Sequence, residues 1–230
     1  MDASNPASAP SKTYDIARHG DIILVVGEKE TQLRVHSVCM RIASKVFDAM
    51  LGPHFSEGQP SSGNHPKEIS MPDDNAATIT TICNVIHHRN DLLPDLLEPS
   101  ELPEIALAAD KYDCVLALKY VMIQWLDFKE PVTFSDLGNL LIAAYVFDNS
   151  DAFRRVALKL ITGTSCAYHH LMQSKYGETI PSSVYCKCIP FWQLIAVAKR
   201  IARLVRKSEN PYSNQYPGRA PYRDGTLLRS

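Results

Sequence analysis

Three groupings of side chains in this 230-residue chain could do chemistry. The first joins Asp21, His36 and Ser37: an acid, an imidazole and a hydroxyl, the parts of a hydroxyl-nucleophile site. Such a site needs the base aimed at the hydroxyl and a backbone pocket for the oxyanion beside it. His36 and Ser37 are sequence neighbours whose side chains splay apart, and no glycine-rich turn nearby offers a nucleophile elbow. Catalysis is therefore not the expected role, and the chain is read as a non-enzyme. An imidazole between a strand and a helix is better placed to tie strand backbone to helix start through its two ring nitrogens.

The second grouping consists of metal-ligand residue types: His87-His88, His169-His170 and Cys186-x-Cys188. Adjacent histidines point to different sides of a helix, and the cysteine pair has no matching CxxC or HxxxH partner. Surface histidines and ordinary thiols are expected, with no metal and no cofactor. The third is "IAVAKRIARLVRK" at 195–207. Ile195, Ala198, Ile201, Ala202 and Val205 share one helical face, leaving Lys199, Arg200, Arg203, Arg206 and Lys207 largely on the other. That face could meet phosphates, acidic lipids or an acidic protein groove. It lacks aromatic residues for stacking on bases, so the solvated side of a terminal bundle helix is favoured over a nucleic-acid contact.

The elements that must position these residues are legible from period and punctuation. "GDIILVVGEKETQLRV" is a hairpin: Ile22 to Val26 read as a strand buried on both faces, and Thr31, Leu33 and Val35 alternate with Gln32 and Arg34 on a strand with one wet face. From Ser37, a reasonable N-cap, the period becomes helical through Val38, Ile42, Val46 and Met50, and the helix should end near Gly52-Pro53. Residues 54–66 form a turn-rich loop, "KEISMPDD" a short strand, and Asn75 or Asp74 caps the next helix. "PSELPEIALAADKYDCVLALKYVMIQWLDF" gives a helix pair broken near Lys111 to Asp113. After a boundary at Pro131 two more helices follow, with Ser135 or Asp136 and Ser150 or Asp151 as start signals, and a last one within 192–207. The predicted division is a disordered leader at 1–17, an α+β domain at 18–128, a helical extension at 131–207 and a disordered tail at 208–230.

Composition agrees with an ordinary globular chain, 45% hydrophobic and 21% charged. A net charge of −1 predicts no global attraction to nucleic acid or to an anionic membrane. No apolar run nears the roughly 20 residues that span a bilayer, and the N-terminus lacks the order of a secretory signal. An intracellular protein, nuclear or cytoplasmic, is expected, with the six cysteines reduced.

On this order of elements, "GDIILVVG", "VHSVCMRIASKVFDAML", "EISMPDD" and "ALAADKYDCVLALKYV" resemble the BTB/POZ domain across about residues 18–128. The fairly specific parts are His36 heading a helix that contains Ser44 and Phe47, and the Ala-Ala-Asp-Lys-Tyr run at 108–112. The later helices look similar to the extension that often follows that domain, as in the small BTB proteins of filamentous fungi. The resemblance implies an α+β fold with a small sheet and surrounding helices. It also implies a non-enzymatic interaction module that forms homodimers through the first hairpin and helix, with the N-terminal segment exchanged between protomers, and that recruits another protein. The implied dimer contacts are Val38, Arg41, Ile42 and Lys45, and the implied fold-defining core residues are Asp21, His36, Phe47, Ala109, Asp110 and Tyr112.

Two departures bear on the partner. Asp21 either ends the leader and caps local backbone groups or corresponds to the buried acid that repressor members pair with a cation just after the histidine; this chain has Ser37 there, so a buried Asp21 must find hydrogen bonds, water or a cation such as Arg34 or Arg41. Cullin-binding members carry a hydrophobic-x-Glu motif in the helix corresponding to 76–88, where this chain has Ile79-Thr80-Thr81 and no Glu. A cullin ubiquitin-ligase adaptor and a chromatin or nucleic-acid regulator using the basic helix are the alternatives to the general interaction module.

Overall fold

A computed structural model describes residues 13–52, 66–128, 132–163, 171 and 173–181, all within one compact unit that runs to Pro181. The expectations for residues 1–12, the loop at 54–65, the boundary at Pro131, His169-His170, Cys166, Cys186, Cys188, the basic helix and the tail lie outside the described residues. The described part is mixed, with four strands and seven helices. Strands β1 (Thr13–Asp15), β2 (Ile22–Val26), β3 (Thr31–Val35) and β4 (Lys67–Met71) form one sheet in the order β1-β3-β2-β4.

The β2–β3 hairpin is antiparallel, with Ile22 opposite Val35 and Leu24 opposite Leu33. Its turn needs left-handed backbone, which Gly27 supplies at φ 71°, while the Gly27 N–H reaches the Met71 carbonyl of β4 at 2.9 Å. β2 alternates: Ile22, Leu24 and Val26 are buried and Ile23 and Val25 only partly so. That corrects the reading of a strand covered on both faces, because helices pack on one side of this small sheet. β3 shows the expected wet face through Gln32 and Arg34. β4 runs parallel to β2, with Leu24 opposite Ile69. β1 runs parallel to β3, and Ile16 and Ala17 after it are buried, so ordered structure begins inside the stretch expected to be a disordered leader. Three strand residues without apolar alternation carry no sequence signal, and their pairing partner is distant.

Helices α1 (Ser37–Ala43) and α2 (Lys45–Met50) replace the single helix predicted from Ser37. Ser44 takes an extended conformation between them, its hydroxyl accepting the Phe47 N–H at 2.9 Å and donating to the Tyr112 carbonyl. Helix α3 (Ala76–Ile86) is capped by Asn75, as its sequence predicts, through bonds from the Ala77 and Thr78 N–H groups. It lies against β3, α1, α4 (Leu102–Lys111) and α5 (Val115–Trp125). Leu24, Leu33, Met40, Phe47, Ile79, Ile82, Leu102, Leu118 and Met122 fill the core between them. α6 (Phe134–Val146) packs on α4 and on α7 (Ser150–Gly163). The expected start signals lie at these helix starts, Asp136 in the capping box of α6 and Ser150 as the first residue of α7, although the capping residues precede them. Thr133 and Asp136 exchange side-chain-to-backbone bonds at the start of α6, and Asn149 accepts the Ala152 N–H at the start of α7.

Candidate functional site

The joint between β3 and α1 brings Asp21, His36 and Ser37 together, with the carboxylate bonded to the start of the helix. Asp21 accepts the Ser37 N–H at 2.8 Å through Oδ1 and the Ser37 hydroxyl at 2.5 Å through Oδ2. Ser37 is therefore the first helical residue and not the cap: His36 holds the cap position without a side-chain bond, and the carboxylate from the start of β2 does the capping. The acceptor of the Ser37 hydroxyl is the Asp21 carboxylate and not the imidazole, which stands 3.9 Å from the other carboxylate oxygen. Partial burial raises the Asp21 pKa, but the Ser37 hydrogen bonds and nearby His36 outweigh it and hold the carboxyl below its usual range.

Asp21 is exposed and caps backbone at the helix start, the first of its two readings, which corrects the second, a buried acid in need of a cation. Neither proposed cation turns to it: Arg34 donates to the Gly20 carbonyl and Arg41 to Asp48, both by short bonds. His36 is half-buried, and its backbone, not its ring, makes the tie: the His36 N–H donates to His87 Nε2 at 3.0 Å. His87 Nδ1 lies 2.8 Å from the Cys83 carbonyl. Because Nε2 accepts, Nδ1 must carry the proton and donate to Cys83, which fixes a neutral ring in one tautomer. The sequence pattern predicts a surface position for His87. The contact that pulls it inward joins positions 51 residues apart, and no local pattern reports it.

On the joint sits an apolar face. Val38 is 60% and Ile42 82% exposed one turn apart on α1, with Val46 also exposed at the start of α2, while Met40 is fully buried. Val38, Arg41, Ile42 and Asp48 line a shallow groove in which Arg41 Nε meets Asp48 Oδ1 at 2.8 Å, bridging the two helices. Lys45 is exposed beside them.

Behind this face, Phe47, Ala109 and Tyr112 are buried, whereas Asp110 is exposed and does not belong to the core. The Phe47 and Tyr112 rings stack at 4.9 Å and 6°. The Tyr112 hydroxyl donates to Asp74 at 2.6 Å, and Lys111 donates to the same carboxylate at 2.8 Å. Burial, reinforced by the Asp74 bond, pushes the Tyr112 hydroxyl up to about 12. Asp74, which the sequence offers only as an alternative cap, is thus the charged member that locks α4 to the end of β4.

A second apolar face has no counterpart among the sequence-based expectations. On α5, Leu116, Tyr120 and Ile123 fall at i, i+4 and i+7, with Leu116 80% and Tyr120 82% exposed, opposite buried Leu118, Met122 and Trp125. Gln124 and Trp125 bond to the carbonyls of Asp95 and Pro94, holding a loop with exposed Leu92 and Leu96 beside the helix. Apolar residues occur all round α5 and only Lys119 and Gln124 mark its wet side, so the period alone does not single out Leu116, Tyr120 and Ile123 as an open face.

On α3, Ile79 is 1% exposed, and the Thr80 and Thr81 hydroxyls bond back to the Ala76 and Ala77 carbonyls. The segment read against the cullin motif therefore turns no apolar side chain outward at Ile79. Cys83 and Cys114 are buried free thiols and Cys39 is half-buried. Among the described residues no group of three or more His, Cys, Asp or Glu side chains converges on a metal-sized site, and no helix is long and apolar enough to cross a membrane. No known protein-family model matches this chain, and no curated protein matches it.

Proposed function

We propose that this chain is a non-enzymatic protein-interaction module of BTB/POZ type that self-associates through α1 and α2 and recruits a second protein. The observation that carries the reading is the open face of Val38, Ile42 and Val46, flanked by Arg41, Lys45 and Asp48. An apolar centre with a charged surround is the anatomy of a protein interface. Leaving Ile42 four-fifths exposed in water gives up roughly 1–2 kcal/mol that a partner surface would recover. Two-fold pairing of α1 faces sets each Ile42 against its counterpart and needs about 800 Å² from each protomer to be stable. The Leu116–Tyr120–Ile123 stripe is the surface assigned to the recruited protein.

The test is sedimentation of the full chain over the micromolar range, beside Ile42→Glu. A dimer that becomes a folded monomer in the variant is expected, because a carboxylate buried opposite its own copy has no compensating partner. A chain that stays monomeric throughout would overturn the self-association reading.

A further inference from the structure

We infer that His87 is a proton-operated pin for α1: with Nε2 bare it accepts the His36 backbone N–H and seats the start of the helix, and with Nε2 protonated it releases that start. The consequence for association rests on the self-association reading proposed above; the pin itself does not.

The geometry leaves the ring little choice. Nδ1 is engaged at 2.8 Å by the Cys83 carbonyl and Nε2 at 3.0 Å by the His36 N–H, so the site suits one neutral tautomer. A proton on Nε2 would aim one N–H at another across a hydrogen-bond distance. It would also place a cation near the positive end of α1.

The surrounding groups add to this preference. The His36 ring lies 6.3 Å from the His87 ring in near-parallel stacking, so a charge on either disfavours a charge on the other. Behind it Asp21, leading into β2, stands 3.9 Å from His36 Nδ1 and is already taken up by Ser37. At the end of α3 follow His88 and then Arg89, whose guanidinium is committed to the Ile16 carbonyl and to Asp91, each at 3.0 Å. Among the described residues no carboxylate pairs with His87 to stabilise an imidazolium there. Burial, ahead of repulsion from His36 and His88, holds the imidazole below its ordinary 6.5. A folded pKa below the unfolded value means that the contribution of His87 to stability is complete above about 6.5 and is lost as the pH falls through the lower folded value.

The pin sits one residue before the interface helix, so its release shifts Val38 and Ile42 together. The experiment follows the His36 backbone amide and the histidine ring signals of the full chain by NMR from neutral pH to about pH 5, with sedimentation at both ends. His87→Gln is the comparison, since its side-chain oxygen can occupy the acceptor position and does not titrate. In the wild type the His36 amide should shift and lose protection with the same midpoint as the His87 ring, and association should weaken about tenfold. In His87→Gln the protection of the amide and the association should be flat. An amide midpoint that follows the His36 or His88 ring, or an equal response in the variant, overturns the pin. A chain monomeric at both pH values removes the self-association reading, and the amide midpoint still decides the pin. Should His87→Gln not fold, the wild-type midpoints suffice: coincidence of the amide with the His87 ring supports the pin, and divergence overturns it.

Discussion

At the scale of single residues, two serines seven positions apart do different work. Ser37 lends its N–H and hydroxyl to Asp21, at an exposed joint where water can replace the hydroxyl. Ser44 is 2% exposed and serves both as cap for Phe47 and as donor to the Tyr112 carbonyl. Ser44→Ala removes both bonds, leaving the Phe47 N–H without its cap and the Tyr112 carbonyl with only the weaker Cys114 thiol at 3.3 Å, so it should cost about 2 kcal/mol in urea unfolding. Ser37→Ala, which keeps the backbone bond to Asp21, should cost less than about 1 kcal/mol in the same measurement. Which serine mattered was not legible: both lie in one helical period, and the bonds that separate them reach 16 and 68 residues along the chain. Asn75 and Phe47 were legible, because a cap is a local bond and a large apolar residue at helical spacing has few places to go.

Among the elements, the least obvious attachment is the segment 173–181, which has no regular period and is held by scattered contacts. Leu171 packs so close to Gly138 that a Cβ there would stand 2.6 Å from its methyl group, and Ile180 is buried at the far end. Between them Lys175 and Tyr176 donate to Glu104 of α4 at 2.9 and 3.0 Å, and Asn75 donates to the other oxygen of the same carboxylate. The Lys175 bond, ahead of those from Tyr176 and Asn75, holds the Glu104 carboxyl below its usual 4.5. Its contribution is therefore present at neutral pH and is lost as the pH falls below about 4.5 toward the lower folded value. Glu104→Gln keeps the shape and removes the charge, so trypsin should cut after Lys175 about threefold faster than in the wild type, within what a partly exposed ion pair can contribute. Equal cleavage rates would show that Leu171 and Ile180 hold the segment unaided. The hairpin, β4, α3, α4 and α5 are legible in the sequence because each repeats a period. This segment is not, since its two anchors are isolated apolar residues.

For the molecule as a whole, the two open faces lie on different helices, and their substitutions should separate. Ile42→Glu should abolish self-association and melt as a folded monomer, below the wild type by what the dimer contact contributes, while Leu116→Gln with Tyr120→Gln should leave sedimentation unchanged and melt within about 2–4 °C of the wild type, since neither side chain is buried within the protomer. A loss of dimer from the α5 pair would move the interface there. The α+β class follows from alternating strands and periodic helices, but the open side of α5 depended on which neighbours the other helices chose. The sheet order also has a temporal meaning. The β2–β3 hairpin closes over a four-residue turn, whereas β4 reaches β2 only after α1 and α2 have been traversed. Local closure loses little chain entropy and long-range parallel pairing loses more, so the hairpin is expected to form early and β4 to dock later. Contacts formed late act mainly on the rate of unfolding, so weakening β4 or the Gly27-to-Met71 bond is expected to shorten the native lifetime more than it slows folding.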